Sequence, residues 1–210
     1  MFDKKFCNRY SYNLTKDFWQ CIEEEASQYA ANSIDAAIII RDSIIFQIGY
    51  SYGLRIEEML NLTINDLNFD SSLSDEQSFG SIFVPLHSTK ISSCDSRIVY
   101  ALYPCVTELI QNYLNYYNVF FNRTPRLFST VNGDQLTKSY ICNRFRYYNS
   151  ILPTDKRLNT IMSLRPFYIA DILRIKGLPQ SFINRQIGNN IINNQLYYHL
   201  LPSDFDGVNL

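Results

Sequence analysis

The sequence lacks the short motifs that are typical of nucleotide, metal and serine-hydrolase sites. It contains no glycine-rich phosphate loop, no H-E-x-x-H pair and no G-x-S-x-G turn. It has two histidines, His87 and His199, and neither stands at a zinc-ligand spacing from a cysteine. We therefore expect neither a bound metal ion nor any other cofactor.

Cysteine pairs and a membrane-spanning run are also missing. The five cysteines are odd in number and scattered, with no C-x-x-C pair, which favours unpaired thiols in a reducing compartment. The N-terminus is polar and has no apolar segment of the secretory type. The most apolar stretch, residues 36–48, is interrupted by Arg41 and Asp42 and is too short to cross a bilayer. We expect a soluble, cytoplasmic protein that does not contact membranes.

The sequence does contain enough apolar residues for a core, and its charge is unevenly distributed. Of the 210 residues, 46% are hydrophobic and 15% are aromatic, which excludes a disordered chain and suffices for one domain. The formal net charge is -1, but residues 1–80 hold six basic and thirteen acidic residues, whereas residues 81–210 hold thirteen and seven. The second part includes four candidates for binding a polyanion: Arg126, Lys138, Arg144 and Arg146. A solvated helix face is the alternative interpretation of these charges.

The hydrophobic periodicity predicts a mainly α-helical domain with a small antiparallel β-sheet, an α+β fold. A first helix is expected after a Thr15 cap. Further helical patterns cover residues 33–50, 56–62, 106–117, 136–148, 164–175 and 179–187. Two β-rich runs, residues 81–84 and 97–100, flank a polar segment and predict a hairpin with a long tip.

Four polar side chains stand where packing alone does not require them. Arg55 begins a helix with an apolar face, and Lys90 lies in the tip of the predicted hairpin. Arg165 stands in a largely apolar run, and Tyr198 lies in a polar helix near the C-terminus. Structural alternatives exist, because Arg55 can pair with Glu58 three residues later, Lys90 can be solvated, and Arg165 can cap a carbonyl group.

Taken in this order, the four residues resemble the signature of the tyrosine recombinase (phage integrase) family. Residues 52–62, YGLRIEEMLNL, are similar to the family's T-G-L-R-x-x-E-L-x-x-L box. Lys90 is placed like the family's hairpin lysine, and Leu164-Arg165 resembles the L-R of H-x-L-R-H. Ile187-Gly188-Asn189 resembles L-G-H, and Tyr198 follows Asn189 by nine residues, the family's usual step to its nucleophile.

The resemblance implies site-specific recombination or integration of DNA by strand cleavage and rejoining. In the family a tyrosine attacks a DNA phosphate and forms a 3′-phosphotyrosine link, which needs neither metal nor nucleotide. The resemblance assigns the nucleophile to Tyr198, with the adjacent Tyr197 as the alternative. It assigns phosphate binding to Arg55 and Arg165, whose forked guanidinium groups keep their charge at any working pH. Lys90 would give a proton to the leaving 5′ oxygen.

Two positions depart from the family pattern. Met162 stands where the family has a histidine three residues before the arginine, and Asn189 replaces a histidine or tryptophan. Methionine cannot transfer a proton, and asparagine can only donate a hydrogen bond to the phosphate. The chain is therefore either an active recombinase or a catalytically degenerate DNA-binding or regulatory protein on the same fold. A helical protein-interaction domain that does not bind DNA is a third alternative.

The resemblance also predicts domain organisation and partners. We expect an N-terminal arm with an acidic helix over residues 1–32, a catalytic domain over 33–200 and a tail over 201–210. The first segment is too short for the separate helical domain of most members, so the expected form is similar in length to the invertases that switch fimbrial promoters. The expected partners are double-stranded DNA, further copies of the chain on that DNA, and accessory DNA-binding proteins. The expected location is the bacterial cytoplasm and nucleoid, or the host cell of a mobile element.

Overall fold

The computed structural model describes residues 10–68, 80–85, 96–101, 105–122, 124–158, 160–173 and 178–188. Four of the predicted site residues lie outside these ranges: Lys90, Asn189, Tyr197 and Tyr198. Their assigned roles therefore stay predictions.

Seven α-helices are present in the described ranges, and the helical segments predicted from periodicity are confirmed where they fall within these ranges. They are α1 (Tyr10–Ser27), α2 (Ile34–Ser51), α3 (Ile56–Asn61), α4 (Cys105–Asn112), α5 (Lys138–Ile151), α6 (Leu164–Leu173) and α7 (Gln180–Ile187). A π-helical turn, Tyr113–Tyr117, continues α4. No helix in the described ranges is both long and apolar enough to cross a membrane.

The predicted cap at Thr15 is wrong, because α1 begins five residues earlier, at Tyr10. Thr15 lies inside the helix, and its hydroxyl accepts a hydrogen bond from Nε1 of Trp19 at 3.0 Å. Threonine commonly caps helices, but its hydroxyl can also serve a buried donor one turn later. Phe18 and Trp19 pack in the same hydrophobic core as residues of α2. The domain boundaries predicted at residues 32 and 200 stay predictions.

The sheet has three antiparallel strands in the order β1 (Leu67–Asn68), β2 (Ser81–Val84) and β3 (Arg97–Tyr100). The predicted hairpin of β2 and β3 is confirmed, with Phe83 opposite Ile98 in the register. Periodicity did not predict β1, because a strand of two residues is too short to show an alternating pattern. Side chains alternate along β3, so that Arg97 and Val99 point to the buried face.

Helix α2 contributes the most buried residues of any described element, thirteen of its 18. Ser33 caps it by accepting a hydrogen bond from the backbone N–H of Ala36 at 3.2 Å. The helix contacts α1, α3, α4 and α6. These four helices are thus arranged around α2, and the segment after it carries the first predicted site residue, Arg55.

A glycine sets the direction in which the chain leaves α2. Gly53 has a φ of 66°, a left-handed conformation that favours glycine. A Cβ atom at this position would lie 2.4 Å from Cδ1 of Tyr168 in α6. Gly53 therefore permits both the turn from α2 to α3 and the close approach of α6.

We expect Gly53→Ala to lower the free energy of unfolding by more than about 2 kcal/mol. The left-handed backbone alone costs about 1–2 kcal/mol for a residue with a Cβ, and the clash with the Tyr168 ring adds to it. Chemical denaturation followed by circular dichroism measures the change. Gly49→Ala is the matched control, because this glycine lies within α2 and its added Cβ would meet the flexible Met59 side chain no closer than 3.4 Å. A Gly53→Ala variant as stable as Gly49→Ala would contradict this account of the turn.

Candidate active site

A buried carboxylate, that of Glu58 in α3, lies at the centre of the candidate site. Arg97 of β3 donates to both of its oxygens, with Nη1–Oε1 at 2.9 Å and Nη2–Oε2 at 3.0 Å. Arg55 adds two more contacts, from its backbone N–H to Oε2 at 2.8 Å and from Nη1 to Oε1 at 3.3 Å. The carboxylate therefore joins the start of α3 to the start of β3.

The surroundings of Glu58 keep it ionised. Burial would raise the pKa of the carboxyl group, but the hydrogen bonds and charge of Arg97, the backbone N–H of Arg55 and the charge of Arg165 outweigh it. The pKa of Glu58 therefore lies below its usual value. A negative charge at this position attracts the nearby guanidinium groups and limits their freedom.

Arg165, near the start of α6, is the second predicted phosphate-binding arginine, and it is 8% exposed. Its Nη1 donates to the carbonyl oxygen of Gly53, and its Nη2 donates to that of Ile187. The carbonyl cap considered as a structural alternative is thus present. The same two contacts bring together α6, the turn before α3 and the end of α7.

The end of α7 also approaches β3. Gly188 follows α7 with a φ of 68°, and its N–H donates to the carbonyl oxygen of Asn184 at 2.9 Å. A Cβ on Gly188 would lie 2.7 Å from Cζ of Arg97. The backbone conformation favours glycine here, and a side chain would also require the Arg97 guanidinium to shift. The chain beyond this point, with Asn189 and the two candidate nucleophiles, lies outside the described residues.

The structure therefore brings together the parts of the predicted site that it describes. Arg55 donates hydrogen bonds to Glu58, and Arg165 donates to the carbonyl oxygen of Gly53, two residues before Arg55. The Arg55 side chain is 31% exposed and is accessible to a ligand. Met162, where the family has a histidine, is 48% exposed in the short turn Ile161–Ser163 that leads into α6.

Sequence reasoning missed the role of Arg97 and considered Glu58 only as a structural partner of Arg55. A signal for Arg97 was present, since it shares the buried face of β3 with Val99. A charged side chain on a buried face needs a partner of opposite charge. The alternation of β3 could therefore have identified Arg97 as half of a buried ion pair, although not its partner.

The four predicted DNA-binding cations differ in their surroundings. Arg144 donates to Oδ2 of the fully buried Asp42 at 2.8 Å, so its charge is already partnered. Lys138 forms an exposed ion pair with Glu57 at 2.5 Å, a kind of pair that contributes little and is readily exchanged. Arg146 is exposed and donates to the neutral Asn143 side chain of its own helix.

Arg126, the fourth of these cations, is half-buried and lies in the segment between the π-helical turn and α5. Its backbone N–H donates to Oγ1 of Thr124 at 3.3 Å, and its backbone forms a β-bridge with Thr63.

Metal ligands are not grouped anywhere in the described part of the chain, where no three His, Cys, Asp or Glu side chains lie together.

The comparison with protein sequences gives one partial relative. No family model matches the chain. A protein of Methanocaldococcus jannaschii described as a probable integrase/recombinase is 27% identical over 165 residues. The match covers 76% of this chain and 45% of that protein, so the chain spans less than half the length of this relative.

Solved structures of similar fold include recombinases and a transposon integrase. The XerA recombinase has a TM-score of 0.64 at 19% identity, covering 91% of this chain and 60% of that one. The XerH site-specific recombinase, bound to a palindromic difH substrate after cleavage, has a TM-score of 0.65 at 18% identity, covering 90% and 48%. The Tn1549 transposon integrase, in complex with circular intermediate DNA, has a TM-score of 0.53 at 18% identity, covering 86% and 58%. The predicted resemblance is confirmed, and the chain shares the fold of the recombinase and integrase structures that it matches.

Proposed function

We propose that this chain is the catalytic domain of a tyrosine-type, site-specific DNA recombinase. The observation that carries the proposal is a contact between distant parts of the sequence. Arg165 donates to the carbonyl oxygen of Gly53, two residues before Arg55, and Arg55 pairs with the buried Glu58. The matched relative and the neighbouring structures are described as recombinases and integrases. These descriptions favour an active enzyme over the catalytically degenerate alternative.

The two arginines suit a reaction at a phosphodiester. Attack on the phosphorus increases the negative charge on the non-bridging oxygens, and positive groups already in position stabilise that charge. Arg165 is fixed by two carbonyl oxygens, and Arg55 is oriented by Glu58 at the more exposed side. Loss of one such donor typically slows catalysis by about 10²–10³-fold.

The remaining chemistry is assigned to residues outside the described ranges. In the proposed step the Oη of Tyr198 forms a bond to phosphorus as the bond from phosphorus to O5′ breaks. The phenolic proton passes to a base, and Lys90 gives a proton to O5′. Tyrosine has an ordinary pKa of about 10, so the cationic pocket also serves to favour the phenolate.

The proposed partners follow from this chemistry. XerH and the Tn1549 integrase are described in complexes with DNA, and we propose double-stranded DNA as the substrate of this chain. Assembly of several copies on paired sites, accessory DNA-binding proteins and a location in the cytoplasm or nucleoid are part of the same proposal. Since the chain spans less than half of its curated relative, the activity is proposed for this domain.

We expect the protein to form a covalent adduct with a nicked duplex that carries its recombination site, and Tyr198→Phe to abolish that adduct. Phenylalanine lacks the hydroxyl group that attacks the phosphate, while its ring keeps a similar shape. Denaturing gels with labelled DNA measure the adduct. Tyr197→Phe is the matched control and should retain it. An adduct lost in Tyr197→Phe and kept in Tyr198→Phe would reverse the assignment, and no adduct with any candidate site would contradict the proposed activity.

We expect Arg146→Ala to change DNA binding and Arg144→Ala to change the stability of the fold. Arg146→Ala should weaken binding and reduce the slope of log K against log salt by about 0.9, because one phosphate contact is lost. Its melting temperature should not change. Arg144→Ala should lower the free energy of unfolding by about 1.5–3 kcal/mol, the usual contribution of a hydrogen bond to a charged group.

Fluorescence anisotropy at several salt concentrations and thermal unfolding measure these two effects. If Arg146→Ala leaves both the affinity and the salt slope unchanged, α5 does not present this residue to DNA. If Arg144→Ala weakens DNA binding without loss of stability, the ion pair with Asp42 does not fix the Arg144 side chain in the fold.

A further inference from the structure

The guanidinium of Arg97 touches two separate parts of the candidate site. Its two terminal nitrogens form a parallel pair of hydrogen bonds with Glu58. Its Cζ, Nε and Nη1 atoms are the three atoms that a Cβ on Gly188 would meet first. The side chain is 6% exposed, and its Nε has no hydrogen-bond partner among the described residues.

We propose that Arg97 is a positioning residue of the active site, which holds the Glu58 carboxylate in the orientation that fixes Arg55 and forms the surface on which the chain turns after α7. The inference rests on the recombinase function proposed above. Arg97 reaches the reacting phosphate through Glu58 and Arg55, and it is therefore assigned no direct catalytic contact.

The geometry explains why an arginine suits this role. A guanidinium is a planar fork that matches both oxygens of a carboxylate, whereas a lysine amine offers a single point of charge. With both oxygens of Glu58 paired to Arg97, the carboxylate plane is fixed, and so are the directions of its contacts to Arg55. A lysine at position 97 would keep the charge and leave that plane free to rotate.

The backbone of Arg97 belongs to a strand, which suits a positioning residue. Arg97 is the first residue of β3 and lies opposite Val84 of β2 in the register. Groups held on strands are positioned more precisely than groups on loops. A shift of about 1 Å in a positioning group can slow catalysis by about 10²-fold, so a conservative change at Arg97 should have a measurable effect on the reaction.

The test compares cleavage of an ordinary phosphodiester with cleavage of a methylphosphonate at the same position. The methylphosphonate replaces one non-bridging oxygen by a methyl group and removes the negative charge that Arg55 is proposed to stabilise. We expect Arg97→Lys to slow cleavage of the phosphodiester by about 10–100-fold, and the deficit relative to the wild type to shrink at least tenfold on the methylphosphonate. The rate deficit of Arg55→Ala should also be smaller on the methylphosphonate than on the phosphodiester.

Arg41→Lys is the matched control, because Arg41 is also a buried arginine that pairs with a carboxylate, that of Asp42. A general loss of folded protein slows both substrates equally, so this variant should leave the ratio of the two rates unchanged. Glu58→Gln is a second variant, which removes the carboxylate charge and leaves Arg97 unchanged. It should shift the ratio in the same direction as Arg97→Lys.

The outcomes separate this inference from the function on which it rests. A ratio shifted by Arg97→Lys, Glu58→Gln and Arg55→Ala, but not by Arg41→Lys, supports the positioning role. An active wild type whose ratio is unchanged in both Arg97→Lys and Glu58→Gln overturns the positioning role and leaves the recombinase function standing. A wild type that cleaves neither substrate overturns the proposed function and the role of Arg97 within it.

Discussion

The buried ion pair between Glu58 and Arg97 constrains the arrangement of the candidate site where the structure describes it. Two charges removed from water are costly unless their hydrogen-bonding groups are satisfied. Here the carboxylate accepts two bonds from Arg97 and two from Arg55. Because any displacement of β3 from α3 would leave a buried charge without its partner, the sheet and the helix are held in one relative position.

The other contacts of the site extend this constraint to the rest of the fold. Arg165 connects α6 to the carbonyl groups of Gly53 and Ile187, and Gly188 lies so close to Arg97 that a side chain there would displace the guanidinium. Segments that are far apart in the sequence thus meet at one place. The left-handed turns at Gly53 and Gly188 make the approach possible, so backbone conformation and charge pairing depend on each other.

Local patterns in the sequence predicted the elements, whereas long-range pairing could not be predicted. Helical periodicity located α2 and α5, and alternation located the hairpin of β2 and β3. The pairing of Arg97 with Glu58 spans 39 residues and has no local signature. Arg144 illustrates the same limit, because its position in a basic segment indicated a surface contact, while its partner Asp42 is buried 102 residues away. The family resemblance assigned Arg55 and Arg165 to one site, but it gave no reason for their orientation.

The most direct test of this account is a titration of the Glu58 carboxyl carbon by NMR. We expect the pKa to lie below the ordinary value for glutamate, because Arg97, Arg55 and Arg165 outweigh the effect of burial. Since the folded-state pKa is the lower one, the ionised carboxylate stabilises the fold above the unfolded-state value of about 4.3, and this stabilisation is lost as the pH falls through the folded-state pKa. In Arg97→Lys the pKa should rise towards the ordinary value. A pKa at or above that value in the wild type would contradict the central position of this ion pair.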